Sequence, residues 1–344
     1  MKTKILSLFL ALAGICAQAQ VNYGINGSTA YVTNSPNASG NVVIASTYNG
    51  YPVLSIVENA FGDCTSLASV TIPASVTSIG IFAFVGCTSL TNIAVSASNP
   101  DYSSTNGVLF NQAQTTLIQF HVGLGGSYTI PASVTTIGEF AFYDCPSLTN
   151  VTIPASVTAI DDYAFQICSG LTSVTIPNSV TSIGISTFQG CFGLTSVTIP
   201  ASVTSIGTGA FDEVFDDCTS LTNIAVSMSN PDYSSANGVL FDKAQTTLLQ
   251  FPGGLDESYT ISNTVTSIGE DAFAFCFGLT SVTIPNSVTR CSGTDVTSAR
   301  ALPGCGNGPL LECAHGQRIH ATVLQFIHGN GRAEKSAKYP ASHV

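Results

Sequence analysis

Residues 67–87 read LASVTIPASVTSIGIFAFVGC, and this stretch recurs along the chain. The same frame returns at residues 148–168, 171–191 and 194–218, with four extra residues in the last copy. Self-similarity with a period of about 20–30 residues is typical of solenoids, in which each repeat contacts only its neighbours. The 344 residues are therefore predicted to form a stack of coils rather than two globular domains.

Two longer units interrupt the regular repeats, at about residues 90–147 and 221–278. They match each other at an offset of 131 residues, so that Asn99–Ser104 recurs as Asn230–Ser235. Each long unit also carries an Asn-Gly pair followed by Val-Leu-Phe. Because Asn-Gly favours the tight turn of a two-residue β-hairpin, each unit is predicted to contain one hairpin.

The regular repeat combines two extended stretches with a turn. Val70 and Ile72 alternate with hydroxyl residues, which predicts a strand with one buried face. Pro73 lacks a backbone N–H and should end that strand. A second extended stretch follows up to Ile79, and Phe84 then points inward from a short helical or turn segment. One repeat buries too little apolar surface to offset its chain entropy, so neighbouring repeats must stack.

The repeat resembles a known family. Its pattern, Leu-x-x-Val-x-Ile-Pro-x-x-Val-x-x-Ile-Gly-x-x-Ala-Phe-x-x-Cys, is similar to the BspA-type (Treponema-type) leucine-rich repeat, and the match covers roughly residues 21–289. The resemblance implies a bacterial surface or secreted protein, and some members act as adhesins for host extracellular-matrix proteins. It provides no catalytic residues to transfer.

The predicted fold is accordingly a leucine-rich-repeat solenoid, a right-handed curved β/α superhelix. We expect a continuous parallel sheet of about nine short strands, with short helical or extended segments on the other side. Residues 20–66 should form an N-terminal cap and partial repeat, and residues 67–289 the repeats.

Residues 1–19 resemble a secretory signal peptide. Lys2 and Lys4 precede an apolar stretch that is too short to span a bilayer stably, and Ala17-Gln18-Ala19 fits a small-x-small cleavage site. A lipoprotein signal centred on Cys16 is the alternative. The predicted location is therefore secreted or cell-surface.

Residues 290–344 do not continue the repeat. This segment holds six of the nine basic residues and four of the five histidines. A disordered tail, a small separate module and a translation in the wrong reading frame are the three interpretations. The abrupt change in composition favours the last of them.

Composition excludes several classes of partner. Only 8% of residues are charged, and the net charge is −11. Nucleic acid and anionic membranes both require a basic face, so neither is expected as a partner. No stretch after the signal is apolar enough for a membrane span, so no membrane insertion is expected after signal cleavage.

The repeat cysteines occupy one position per repeat, just after the buried Phe: Cys64, Cys87, Cys145, Cys168, Cys191, Cys218 and Cys276. Disulfides are the usual expectation in a secreted chain. Stacked free cysteines, acting as small buried hydrophobes, need no pairing. We therefore predict an unbridged structural ladder, although the spacing of neighbouring coils does not itself forbid bridging.

The candidate ligand surface is the outer face of the sheet, which should present a row of hydroxyl and amide side chains without charge: Ser69, Thr71, Asn150, Thr152, Ser173, Thr175, Ser196 and Thr198. Such a face can hydrogen-bond a protein or a glycan, or simply keep the strands soluble. Regular Ser-x-Thr rows also raise a remote possibility of ice binding. Tyr102 and Tyr233 of the long units are added as binding candidates because aromatic residues are enriched in binding hot spots. Core packing of the hairpins is their equal alternative.

No catalytic residue, metal site or cofactor is predicted. Acidic residues cluster beside the Ala-Phe segments: Glu139, Asp144, Asp161, Asp162, Asp216, Asp217, Glu270 and Asp271. A calcium site near residues 212–217 lacks regular ligand spacing, so a solvated acidic face is the better interpretation. His121 is the only histidine in the repeat region and has no evident catalytic partners. The expected function is binding of an extracellular protein or glycan, with a ligand-free spacer of the envelope as the alternative.

Overall fold

The structure is a computed structural model that describes residues 21–207, 214–256, 258–269 and 272–291, with the backbone of residues 311–313 and 317–319. The predicted signal peptide at residues 1–19 and most of the predicted tail at 290–344 lie outside the described residues. In the described part no helix is long and apolar enough to cross a membrane.

The described regular elements are all strands, and they are numbered here in chain order. The first fifteen are β1 (Tyr23–Asn26), β2 (Thr29–Val32), β3 (Gly40–Val43), β4 (Thr47–Tyr48), β5 (Tyr51–Ile56), β6 (Leu67–Ile72), β7 (Ser78–Ile79), β8 (Asn92–Val95), β9 (Tyr102–Thr105), β10 (Val108–Asn111), β11 (Thr116–Gln119), β12 (Gly126–Thr129), β13 (Thr136–Ile137), β14 (Leu148–Thr152) and β15 (Ala159–Ile160). The others are β16 (Ser173–Thr175), β17 (Ser182–Ile183), β18 (Ser196–Ile199), β19 (Ser205–Ile206), β20 (Asn223–Val226), β21 (Tyr233–Ala236), β22 (Val239–Asp242), β23 (Thr247–Gln250), β24 (Ser258–Thr260), β25 (Ser267–Ile268), β26 (Ser281–Thr283), β27 (Arg290–Cys291), β28 (Leu311–Cys313) and β29 (Gln317–Ile319).

The coils stack through a parallel main sheet, with one strand from each coil. Its strands pair in the orders β3-β6-β8, β12-β14-β16-β18-β20 and β24-β26. The register advances by one repeat per strand, so that Val151 lies beside Val174 and Val174 beside Val197. Pro73 follows the last residue of β6, as predicted, because proline cannot donate to the ladder. The described coils thus form a β-solenoid of parallel strands.

The main sheet is divided into three hydrogen-bonded blocks, so the predicted continuous sheet is wrong. The hairpin β9–β10 covers the free edge of β8: Ile93 N donates to the Gly107 carbonyl over 3.0 Å, and Val95 N donates to Ser104 Oγ over 3.0 Å. The hairpin β21–β22 covers β20 in the same way. These hairpins confirm the prediction from the Asn-Gly pairs, since Asn106 and Gly107 both have positive φ and join antiparallel strands.

A second sheet of two-residue strands lies on the other side of each regular coil, as in β13-β15-β17-β19. The predicted short helical segments are wrong for the described residues. After Gly80 the chain makes successive turns, and Phe82 adopts a left-handed φ of 56° that no α-helix tolerates. The turn amides bond between coils instead: Phe61 N donates to the Ala83 carbonyl, and Asp63 N to that of Val85.

The core is a column of equivalent side chains between the two sheets. The ring of Phe165 stacks between Phe142 and Phe188, with centroids 4.7 and 5.5 Å away. Phe188 in turn stacks on Phe215, 5.8 Å away. Because each coil contributes one ring to the same column, burial is shared between neighbouring coils. At the N-terminal end, β1 and β2 form an antiparallel hairpin, and β2 pairs with β5 in parallel.

Candidate binding surface

The outer face of the five-strand block β12-β14-β16-β18-β20 carries two columns of small side chains, all polar except Ala225, which we call the hydroxyl face. One column is Ser127, Asn150, Ser173, Ser196 and Asn223, and the other is Thr129, Thr152, Thr175, Thr198 and Ala225. The six predicted members from Asn150 to Thr198 are all exposed. Neighbouring parallel strands lie about 4.8 Å apart, so each column repeats at that spacing.

Ser69 and Thr71, the other two predicted face residues, are placed differently. They lie on β6 in the first block of the main sheet and are only partly exposed. Ser69 Oγ donates a hydrogen bond of 2.7 Å to Asn41 Oδ1. The structure therefore does not join them to the hydroxyl face of β12–β20.

The polar groups of the hydroxyl face are available to a ligand. Within the described residues, the six side chains from Asn150 to Thr198 make no hydrogen bond to protein. The adjacent threonine column differs, because its hydroxyls bind the preceding coil: Thr172 Oγ1 donates to the Thr149 carbonyl over 3.2 Å, and Thr195 Oγ1 to the Thr172 carbonyl over 3.3 Å. The column that contains Thr172 and Thr195 thus links neighbouring coils, while the two columns of the hydroxyl face are exposed to solvent.

The acidic residues that the structure describes do not lie on the hydroxyl face. Glu139, Asp161 and Asp162 line a shallow open pocket beside the second sheet. Burial, followed by the neighbouring Asp162 carboxylate, raises the pKa of Glu139 and of Asp161. No group of His, Cys, Asp or Glu in the described ranges could hold a metal ion. Glu270, Asp271 and residues 212–213 of the considered calcium loop lie outside the described residues.

The tyrosines of the long units sit in the hairpin core and at sheet edges. The hydroxyl of Tyr102 accepts a hydrogen bond of 3.2 Å from Ile79 N, so it covers the open edge of β7. Tyr233 is half-buried, and its hydroxyl bonds the backbone of Ile206 on β19. Because both contacts are to the second sheet, the structure does not bring Tyr102 and Tyr233 together with the hydroxyl face. Their arrangement supports the packing interpretation.

The seven repeat cysteines are free and buried. Most use the thiol as a donor between coils: Cys168 Sγ donates to the Phe142 carbonyl over 3.0 Å, and Cys191 Sγ to the Phe165 carbonyl over 3.2 Å. Burial raises the pKa of the Cys168 thiol to about 12. A thiolate is the reactive form, so these groups should be inert in the folded protein.

We expect iodoacetamide to leave the seven repeat cysteines unmodified in the native protein and to modify all of them in denaturant. Peptide mapping by mass spectrometry checks this site by site. Modification of Cys168 or Cys191 under native conditions, or a disulfide between neighbouring coils, would contradict the buried ladder.

His121 is a buried histidine whose two ring nitrogens have no hydrogen-bond partner among the described residues. Burial lowers the pKa of its imidazole from 6.5 to about 4. The unfolded chain therefore binds a proton more readily than the folded chain between these two pH values. The stability due to neutral His121 is fully present above about pH 6.5 and is lost as the pH falls towards 4.

We expect this loss to be on the order of 3 kcal/mol by pH 4, compared with the variant His121→Leu. Chemical denaturation of both proteins from pH 7.5 to pH 4 measures the difference. Carboxylates with raised pKa values shift stability in the opposite direction, but they are common to both proteins and cancel. Parallel pH profiles would show that the imidazole is not held neutral. Pro252 stands at the equivalent position of the second long unit, so an apolar residue fits there.

Sequence reasoning missed the role of Asn99. Its side chain is buried, and Nδ2 donates to the carbonyls of Pro73 and Val76 over 2.9 and 2.8 Å. Its Oδ1 accepts from the backbone N–H groups of Asp101 and Tyr102. Asn230 repeats the four contacts in the second long unit. The sequence did carry an indication of this role, because Asn99 and Asn230 both stand at the repeat position where the regular repeats have a buried Val.

Comparison with known proteins agrees with this architecture. The model of the BspA type leucine rich repeat region matches six copies, at residues 47–124, 126–221 and 251–294. A search of curated proteins gives no match.

Three solved structures are similar to the chain. A leucine rich cell surface protein from Faecalibacterium prausnitzii is 29% identical over 78% of this chain and 70% of its own, with a TM-score of 0.44. The leucine rich repeat protein of T. pallidum is 31% identical over 58% of this chain and 87% of its own, with a TM-score of 0.38. A leucine-rich repeat protein from Eubacterium ventriosum is 24% identical over 77% of this chain, with a TM-score of 0.45, and the chain spans 57% of its length. With its family model matched over more than half of the sequence, the chain belongs to the BspA-type leucine-rich-repeat family.

Proposed function

We propose that this chain is a secreted or cell-surface binding module without catalytic activity, and that its hydroxyl face holds an extracellular protein or glycan. The observation that carries the proposal is the pair of columns on β12–β20. Six exposed side chains there stand in register and make no hydrogen bond to protein within the part of the chain that the structure describes. Adhesion to host matrix is the specific role that membership of the family favours.

The charge distribution supports an uncharged contact. The described strands of the hydroxyl face carry Ser, Asn, Thr and Ala outward and no ionisable side chain. Each position except Ala225 can both donate and accept, so the face suits a partner rich in hydroxyl or amide groups. Interfaces of this kind are commonly wet, with water bridging part of the contact.

The test is a binding panel of matrix proteins, mucin and cell-wall glycans, with the chain immobilised for surface plasmon resonance. The face variant is Thr152→Lys with Thr175→Lys. The control is Thr158→Lys with Thr181→Lys, which adds the same charge on exposed threonines that lie just before β15 and β17 of the second sheet. It is matched in charge, whereas the hydroxyls that it removes bond the preceding coil. We expect the face variant to weaken binding at least about tenfold, or 1.4 kcal/mol, and the control to bind like the parent.

Other outcomes favour the alternatives. Equal loss in both variants would place the contact elsewhere or show that added charge alone is harmful. Saturable binding to no member of the panel would support the spacer function. Ice binding would appear as thermal hysteresis that the face variant abolishes.

A further inference from the structure

One large aromatic ring lies at the margin of the hydroxyl face. Phe192 is 44% exposed, and it lies in a turn that Leu194 N closes by donating to the Cys191 carbonyl over 3.0 Å. This turn leads into β18, which begins with the exposed Ser196 of the hydroxyl face. Burial of an aromatic ring against a ligand is favourable. Phe192 therefore gives the uncharged face a place where apolar surface can be covered by a ligand.

The surroundings of this ring are small and uncharged. The coils before and after it place Ser169 and Thr219 at the same position of the turn. Next to the turn runs the column of Thr172 and Thr195, whose hydroxyls bond the preceding coil and so leave their methyl groups at the surface. The two columns of the hydroxyl face follow. The surface is thus apolar along one margin and rich in free hydroxyl and amide groups beside it.

A sugar ring has the complementary chemistry. Its C–H face is apolar and packs on an aromatic ring, while the hydroxyls around its rim donate and accept hydrogen bonds, as the side chains of the hydroxyl face do. The columns repeat at about 4.8 Å, which is close to the length of one sugar residue in an extended glycan. Successive residues of a glycan that crosses the strands can therefore meet successive strands in equivalent ways.

Composition and charge separate this ligand from others. Residues that dominate protein–protein binding are enriched in Trp, Tyr and Arg and depleted in Ser and Thr, whereas the outward positions of the hydroxyl face carry Ser, Asn, Thr and Ala. An acidic glycan would be repelled by a chain with a net charge of −11. The repeats at residues 67–289 contain one basic residue, Lys243, and its ammonium already bonds two loop carbonyls.

We infer that the ligand of the hydroxyl face is a neutral glycan chain, which crosses the strands along the two columns and stacks one sugar ring on Phe192. This inference rests on the proposed function, because it names the ligand class of the same face. Phe192 sets the position of the glycan on the block. The free hydroxyl and amide groups of β14, β16 and β18 bond the sugar hydroxyls, in part through bridging water.

Tryptophan substitution gives a direct test, because the chain contains no tryptophan. In Phe192→Trp the indole keeps a stacking surface and reports its own surroundings by fluorescence. Phe277→Trp is the matched control, since Phe277 is 56% exposed at the same position of another turn but leads into β26 of the two-strand block. Titration of the whole chain with mannan, xylan or laminarin, all neutral, should shift the emission of Phe192→Trp saturably to shorter wavelength for the glycan that binds. The emission of Phe277→Trp should not change.

Affinity provides the second measurement. By surface plasmon resonance with the same glycans, Phe192→Ala should weaken binding at least about tenfold, because the stacking contact is lost. Phe192→Tyr should bind like the parent, since it keeps the ring. Polygalacturonate, an acidic polysaccharide, should bind to none of the three proteins.

Equal affinities of Phe192→Ala and the parent for a bound neutral glycan would overturn the inference, as would binding of polygalacturonate alone. Binding confined to a matrix protein freed of its glycans, and lost in Thr152→Lys with Thr175→Lys, would overturn the inference and leave the proposed function intact. Saturable binding to neither glycans nor proteins would overturn both.

Discussion

Replacing Phe165 by Ala is expected to lower the free energy of unfolding by about 3–5 kcal/mol. The ring is fully buried and lies in the middle of the column, between the rings of Phe142 and Phe188. Its removal leaves a cavity and ends two stacking contacts at once. A solenoid transmits stability only through neighbouring coils, so the loss also uncouples the coils on either side.

Urea denaturation followed by circular dichroism measures this effect. We expect the single transition of the parent to move to lower urea and to broaden, because the two halves of the stack no longer unfold together. Phe192→Ala is the matched control, since that ring is 44% exposed in the turn after the cysteine of the next repeat. A Phe165 variant as stable as the control would show that the coils do not share one core.

Much of the fold can be predicted from the sequence because both the length of the repeat and the alternation of its apolar and polar residues are visible there. Val70 and Ile72 are buried, and the strand ends before Pro73, as alternation and proline chemistry require. The helical segment could not be excluded in this way. Bulky residues such as Phe82 and Tyr163 rarely adopt positive φ. The sequence pattern does not reveal the hydrogen bonds between coils that accompany these turns, such as that from Tyr163 N to the Ile185 carbonyl.

The candidate surface was predictable only in part, because its extent depends on contacts between segments that are remote in sequence. Alternation along one strand identifies Thr175 and Thr198 as outward residues, and the structure exposes both. It does not reveal that Ser69 belongs to another block, because the break in the sheet is made by a hairpin remote in sequence. Nor does it distinguish a binding tyrosine from one that covers a strand edge, as Tyr102 does.

Asn99→Ala should be the most damaging change of a polar residue, with an expected loss of about 3–5 kcal/mol. The side chain is 1% exposed and makes four hydrogen bonds, two to the preceding coil and two within its own loop. Alanine leaves two carbonyls and two N–H groups in a buried site. The loop also positions Tyr102 against Ile79, so the edge of β7 should open as well.

Hydrogen exchange followed by mass spectrometry separates this effect from a general loss of stability. We expect amides of β7 and β9 to exchange faster in Asn99→Ala, while those of β16 and β18 remain protected. Asn178→Ala is the control, because Asn178 is an exposed asparagine in a regular proline turn. Asn230→Ala should produce the same pattern in the second long unit, since its contacts are equivalent. If Asn99→Ala leaves the exchange of β7 unchanged, the asparagine does not join the long unit to the coil before it, and the stack must be continuous there by backbone contacts alone.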